Sequence, residues 1–150
     1  MRKVMSWMAI GVLLMGLVGC AGYQKTMKMR KEIREEEFIL IILDSTIQEY
    51  ARGKYRLTTS VSYENIDVSG HIFGEQFALQ MVYQDKYRYD YEIPLRDDSV
   101  TVRPLEKRTI SCIIDLPEEV GTQMREQETP FLIVITHQAS QKEYQCSYFA

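Results

Sequence analysis

Hydrophobic positions follow two regimes along the chain. From Val4 to Val18 apolar residues run almost unbroken, interrupted by Ser6, Gly11 and Gly16. From Phe38 onward they alternate with polar residues and are cut by turn-forming residues every ten positions or so, which predicts an all-β domain. Phe38 to Leu43 is a continuous apolar run that reads as a buried strand, and its Ile content favours strand over a helix ending at Arg52-Gly53. Ala51 to Lys54 is then a hairpin turn. Leu57, Thr59, Val61 and Tyr63 share one strand face. Phe77, Leu79, Met81 and Tyr83 share another, with a turn over Gln84 to Lys86.

Further strands are predicted at Tyr87 to Ile93, at Val100 to Val102, from Ile110 to Leu116, from Phe131 to Ile135 and around Tyr144, Cys146 and Tyr148. Phe131 to Ile135 is apolar throughout, as expected of a central strand covered on both faces. Pro117 opens a polar stretch that holds a helical turn. Seven or eight strands in residues 38–150 suit a two-sheet sandwich. Residues 21–37 are polar and predict a solvated tether.

The early apolar run is too short to span a bilayer, which takes about 20 apolar residues. Arg2 and Lys3 precede it, and small residues close it, the layout of a secretory signal. It ends in Leu17-Val18-Gly19-Cys20, which resembles the lipobox of bacterial lipoproteins. The resemblance implies that residues 1–19 are a removable signal peptide and that Cys20 is acylated (a palmitate-type anchor). Residues 20–37 would then be a lipid-anchored polar tether and 38–150 the folded domain. It also implies a cell-envelope location. With Ala21 rather than Asp after the cysteine, this means the outer membrane if the organism has one, facing the periplasm, and otherwise the outer face of the plasma membrane. Within the tether Lys25, Lys28, Arg30 and Lys31 precede any acid and form a basic collar suited to anionic lipid headgroups.

A second resemblance lies in Val102-Arg-Pro-Leu-Glu-Lys107 followed by an alternating strand ending at Leu116-Pro117. It is similar to a segment of the immunoglobulin-like domains of small bacterial lipoproteins, where a Pro-Gly-Glu turn launches such a strand. Leu105 stands where Gly is usual. The resemblance implies an immunoglobulin-like β-sandwich and brings no catalytic residues.

The 150 residues carry a formal charge of -3, which argues against a general nucleic-acid binder. That figure hides a polarity, because the signal and residues 21–37 are net positive and 38–150 is net negative. Of the three cysteines, Cys112 and Cys146 remain once Cys20 is acylated. Both lie on apolar strand faces in an oxidising compartment, which predicts a disulfide, with two buried thiols as the alternative.

Catalytic chemistry is hard to assemble. His71 and His137 have no metal-ligand spacing, so no metal and no cofactor is expected. Gly-x-Ser-x-Gly and phosphate-binding loops are absent. The paired acids Asp97-Asp98 and Glu118-Glu119 point apart from an extended backbone. The candidate binding feature is a tyrosine set, Tyr83, Tyr87, Tyr89 and Tyr91, since tyrosine combines apolar area with a hydroxyl and suits interfaces. The expectation is a non-catalytic, lipid-anchored binding or assembly module for an envelope protein or glycan, with no nucleic acid. The alternatives are an inhibitor of a wall-degrading enzyme, using a protruding loop at 64–74 or 117–129, and a membrane-attachment lipoprotein of a secretion-type machine.

Overall fold

The computed structural model describes residues 22–94, 101–127 and 130–148. The lipobox, Cys20 and Asp97-Asp98 lie outside the described residues. Strict period-two burial builds the strands. In β2 (Phe38–Ala51) the side chains of Phe38, Leu40 and Ile42 point inward, and in β3 (Lys54–Asn65) those of Tyr55, Leu57, Thr59, Val61 and Tyr63 do so. In β8 (Lys107–Leu116), Ile110, Cys112, Ile114 and Leu116 are the inward set. These three strands and β1 (Gln24–Arg34) make one antiparallel layer in the order β1-β2-β3-β8. The second layer, β10-β9-β5-β6, comprises β5 (Phe77–Tyr83), β6 (Tyr87–Asp90), β9 (Phe131–His137) and β10 (Lys142–Tyr148). Short strands β4 (His71–Ile72) and β7 (Thr101–Val102) pair beside them. The chain crosses between layers from β3 to β5, returns between β6 and β8, and crosses again from β8 to β9, the Greek-key course of an immunoglobulin-like sandwich.

Phe131 to Ile135 does form a central strand, flanked by β5 and β10. The Pro117 stretch forms a full helix, α2 (Glu118–Glu126), after the single turn α1 (Phe73–Gln76). Helix α2 lies across one end of the sandwich with Gly121 against the Tyr55 ring. A Cβ at 121 would collide with that ring, so only glycine allows this approach.

Three expectations are corrected. First, residues 24–34 are not a tether. They form an edge strand registered on β2 from Gln24↔Gln48 to Arg34↔Ile39, with Met27 and Ile33 buried in the core. The strand escapes sequence recognition because only those two side chains point fully inward. Lys25, Lys28, Arg30 and Lys31 belong to it, and a bulge falls between Lys28 and Lys31. Cations and a bulge are what keeps an exposed edge from pairing with another chain.

Second, no disulfide joins Cys112 and Cys146, and both thiols are buried. Cys112 is on β8, at one edge of its layer. Cys146 is on β10, which lies against β1 at the opposite edge. About three strand spacings, roughly 14 Å, separate those edges, whereas a disulfide needs Cα atoms about 4.4–6.8 Å apart. Burial pushes the Cys146 thiol pKa up.

Third, the tyrosine set is not a surface patch. Tyr83 and Tyr91 are 0% and 8% exposed and belong to the core; Tyr89 is half-buried, and Tyr87 alone stands out at 41%. Tyr83 and Tyr91 turn into the core, and the set reaches solvent at Tyr87.

Candidate functional site

Two turns meet at one end of the sandwich. The β1–β2 turn brings Glu35, Glu36 and Glu37, and the β9–β10 turn spans 138–141 between His137 and Lys142. Together they enclose a cleft of about 440 Å³, lined by the three glutamates, His137, Lys142 and Tyr144 among others. The Glu35 carboxylate accepts hydrogen bonds from Lys142 Nζ at 2.6 Å and from Tyr144 OH at 2.7 Å. These donors, the lysine first, hold its pKa below the usual carboxylate value. The Tyr144 hydroxyl is pushed up to about 12, first by burial and then by its bond to Glu35.

His137 is buried against Phe38 and Phe77, with ring centroids at 5.2 and 5.4 Å. Its Nδ1 lies 2.8 Å from Ser140 Oγ. That serine also accepts the Lys142 backbone N–H at 3.3 Å, so the pair closes the turn. Glu36 and Glu37 are exposed beside the cleft. The arrangement suits a ligand rich in hydroxyl or amino donors.

The same end carries a second, local network. Asp67 Oδ2 lies 2.8 Å from His71 Nε2 and accepts the Ser69 hydroxyl at 3.0 Å, while Oδ1 accepts the Val68 N–H at 2.8 Å. These bonds, His71 first, lower the Asp67 pKa. His71 Nδ1 faces Tyr63 OH at 2.7 Å. The Asp-His-Tyr row has the outline of a catalytic relay, but Tyr63 is wholly buried and inaccessible to substrate. Its role is to fix the loop.

Asn65, also wholly buried, completes that role. Its Nδ2 donates to Ser69 O and Val102 O, and its Oδ1 accepts the Asp67 N–H. Its backbone exchanges hydrogen bonds with Leu105 N–H and Glu106 O. Two rigid tips result, with Val68 94% exposed and Leu105 77% exposed. Leu105 has φ +64°, at the position where the Pro-Gly-Glu pattern has glycine.

His71 lies within the 64–74 loop expected from the sequence, but the convergence of Asp67, Ser69 and His71, spaced two apart, was not expected. Nor was the cleft. Among the described residues no group of three His, Cys, Asp or Glu is placed to hold a metal ion, and no helix is long and apolar enough to cross a membrane.

The sandwich is similar to three solved structures. An uncharacterized β-sandwich protein from Clostridium difficile superposes with TM-score 0.60 at 16% identity, covering 78% of this chain and 89% of that one. A conserved hypothetical protein from Bacillus anthracis gives 0.57 at 10% identity, covering 81% and 96%. A functionally unknown protein from Listeria monocytogenes gives 0.58 at 10%, covering 86% and 88%. At such identities the likeness defines a class of fold, the two-layer β-sandwich, and nothing finer. No protein-family model and no curated protein matches the chain.

Proposed function

We propose that the protein is a non-catalytic, lipid-anchored lipoprotein of the cell envelope that binds an envelope protein or glycan through the end of the sandwich holding the Glu35 cleft. The observation that carries the binding half is the clustering of recognition features at that one end: an accessible cleft with fixed donors and acceptors, beside two pinned loop tips. Pre-organised loops on a rigid scaffold are where binding sites concentrate. The Leu17-Val18-Gly19-Cys20 motif supports the anchor.

Two measurements test this reading. Cys20→Ser should release the protein from the membrane fraction. A photoreactive residue at Ala139 should give discrete adducts with an envelope protein or glycan in living cells, and Glu35→Ala should abolish them. An anchored Cys20→Ser variant, or adducts indifferent to Glu35, would count against it.

The exposed Val68 and Leu105 tips favour one second reading, an inhibitor that inserts a loop into a wall-degrading enzyme. Loop 64–74 fits that role, whereas 117–129 does not, because residues 118–126 are helix. Inhibition of lysozyme-type hydrolases by the purified domain, lost in Val68→Asp, is the expected signature.

A further inference from the structure

Very little chain separates Cys20 from the fold. Tyr23 is already fixed, since its carbonyl accepts the Glu49 N–H at 2.8 Å and its ring lies 4.8 Å from the Arg125 guanidinium. Gln24 then opens β1 opposite Gln48. The three residues from Cys20 to Tyr23 reach about 11 Å at full extension. An acyl chain on Cys20 places that cysteine at the headgroups, so the Tyr23 end of the sandwich is held close to them.

What that end presents fits such a location. It comprises the β2–β3 turn at Arg52-Gly53, the β5–β6 turn at 84–86 and helix α2. Tyr50 and Tyr87 are 46% and 41% exposed here. Each has a cation near its ring, Arg56 at 4.8 Å and Lys86 at 5.2 Å. Tyrosine sits well at the headgroup level because its ring is apolar and its hydroxyl is polar. Exposed Arg52, Lys54, Lys86 and Arg125 are balanced by exposed Asp85, Glu118, Glu119 and Glu126. The end is therefore neither drawn to nor repelled by anionic lipid as a whole. Of the basic collar only half-buried Lys25 lies near this end; Lys28, Arg30 and Lys31 lie further along β1.

We propose that this end, through Tyr50 and Tyr87, docks on the phospholipid headgroup layer. The sandwich then stands on the membrane without a free tether and carries its Glu35 cleft about 40 Å outward, the length of twelve-residue β3. The proposal rests on acylation of Cys20.

The test uses the full protein purified from membranes and reconstituted in phosphatidylcholine–phosphatidylglycerol vesicles doped with a headgroup-nitroxide lipid. Fluorophores are placed at Arg52→Cys or Lys86→Cys and, at the other end, at Val68→Cys or Ala139→Cys; Cys112 and Cys146 are buried from the reagent. Quenching should be several-fold stronger at 52 and 86 than at 68 and 139, and insensitive to salt. Combining Tyr50→Ser with Tyr87→Ser should shrink the difference at an unchanged Tm. Equal quenching at both ends in a protein whose mass includes the acyl chains overturns the orientation. An undiminished difference in the double variant overturns the docking surface and leaves the anchor alone. A mass without acyl chains overturns the lipoprotein reading, and this proposal with it.

Discussion

Thr59 shows how much one buried hydroxyl can organise. Its Oγ1 lies 2.9 Å from Ser45 Oγ and 2.8 Å from Tyr91 OH, and Ser45 donates onward to Met29 Sδ at 3.5 Å. A thioether can only accept, which sets the direction of the whole row. Tyr91 donates to Thr59, Thr59 to Ser45, and Ser45 to Met29, linking three strands of one layer to the chain beyond β6. Thr59→Val keeps the shape but removes the hydroxyl, leaving Tyr91 OH without its acceptor inside the core. The expected cost is about 1–3 kcal/mol, read as a lower urea midpoint at constant m-value. Inward alternation in β3 is legible from the sequence, and Thr59 is legible as part of it. Its partners are not, because Ser45 and Tyr91 lie 14 and 32 residues away. Leu105 is the opposite case. Its left-handed backbone carries a cost on the order of 1 kcal/mol, and the mismatch with glycine in the turn pattern is visible in the sequence.

At the scale of elements, β1 decides where the fold begins. Its register on β2 covers most of its length, and Met27 and Ile33 are 4% and 5% exposed. A chain starting at Phe38 therefore loses two core side chains, at about 2–5 kcal/mol each by analogy with truncation to alanine, and exposes the edge of β2. That shortened chain should aggregate or lose its near-ultraviolet circular dichroism. A chain starting at Gly22 should melt cooperatively. If 38–150 melts like the longer chain, β1 is dispensable. The central strands were legible because their inward positions are apolar at a period of two and they are dense in β-branched residues. An edge strand protected by lysines and a bulge has the composition of a solvated linker, since the features that guard it from aggregation also erase its alternation. The cleft was hidden for a different reason: Glu35 meets Lys142 and Tyr144 across 107 and 109 residues, so only the register of β9 and β10 brings them together.

Across the whole molecule, shifted carboxylates and shifted tyrosines bound the pH range over which the fold is stable. Glu35, Asp67 and Glu106 all lie at the cleft end. Each carboxylate pKa is lowered chiefly by a side-chain hydrogen bond, from Lys142, His71 and Arg108 respectively. A lowered folded-state pKa means that the unfolded chain binds protons first on acidification. The stabilisation from these groups is thus present above the ordinary carboxylate range of about 4 and is lost as pH falls through their folded values. On the alkaline side the sign reverses. Burial raises the pKa values of Tyr63, Tyr89, Tyr91 and Tyr144, the last to about 12. Their contribution is complete below the ordinary tyrosine pKa near 10 and disappears as pH climbs through the raised values. Stability should therefore form a plateau across neutral pH with two falling limbs. On the acid limb, amides of the 65–72 loop and the 138–141 turn should gain hydrogen exchange before those of β2 and β3, because the acid-sensitive carboxylates lie beside them. Glu35→Gln should make the acid limb shallower and also shrink the share of the alkaline limb that comes from Tyr144, because the Glu35 carboxylate helps to raise that hydroxyl. Uniform exchange at low pH, with an acid limb unchanged in Glu35→Gln, would show that these carboxylates do not hold the cleft end together.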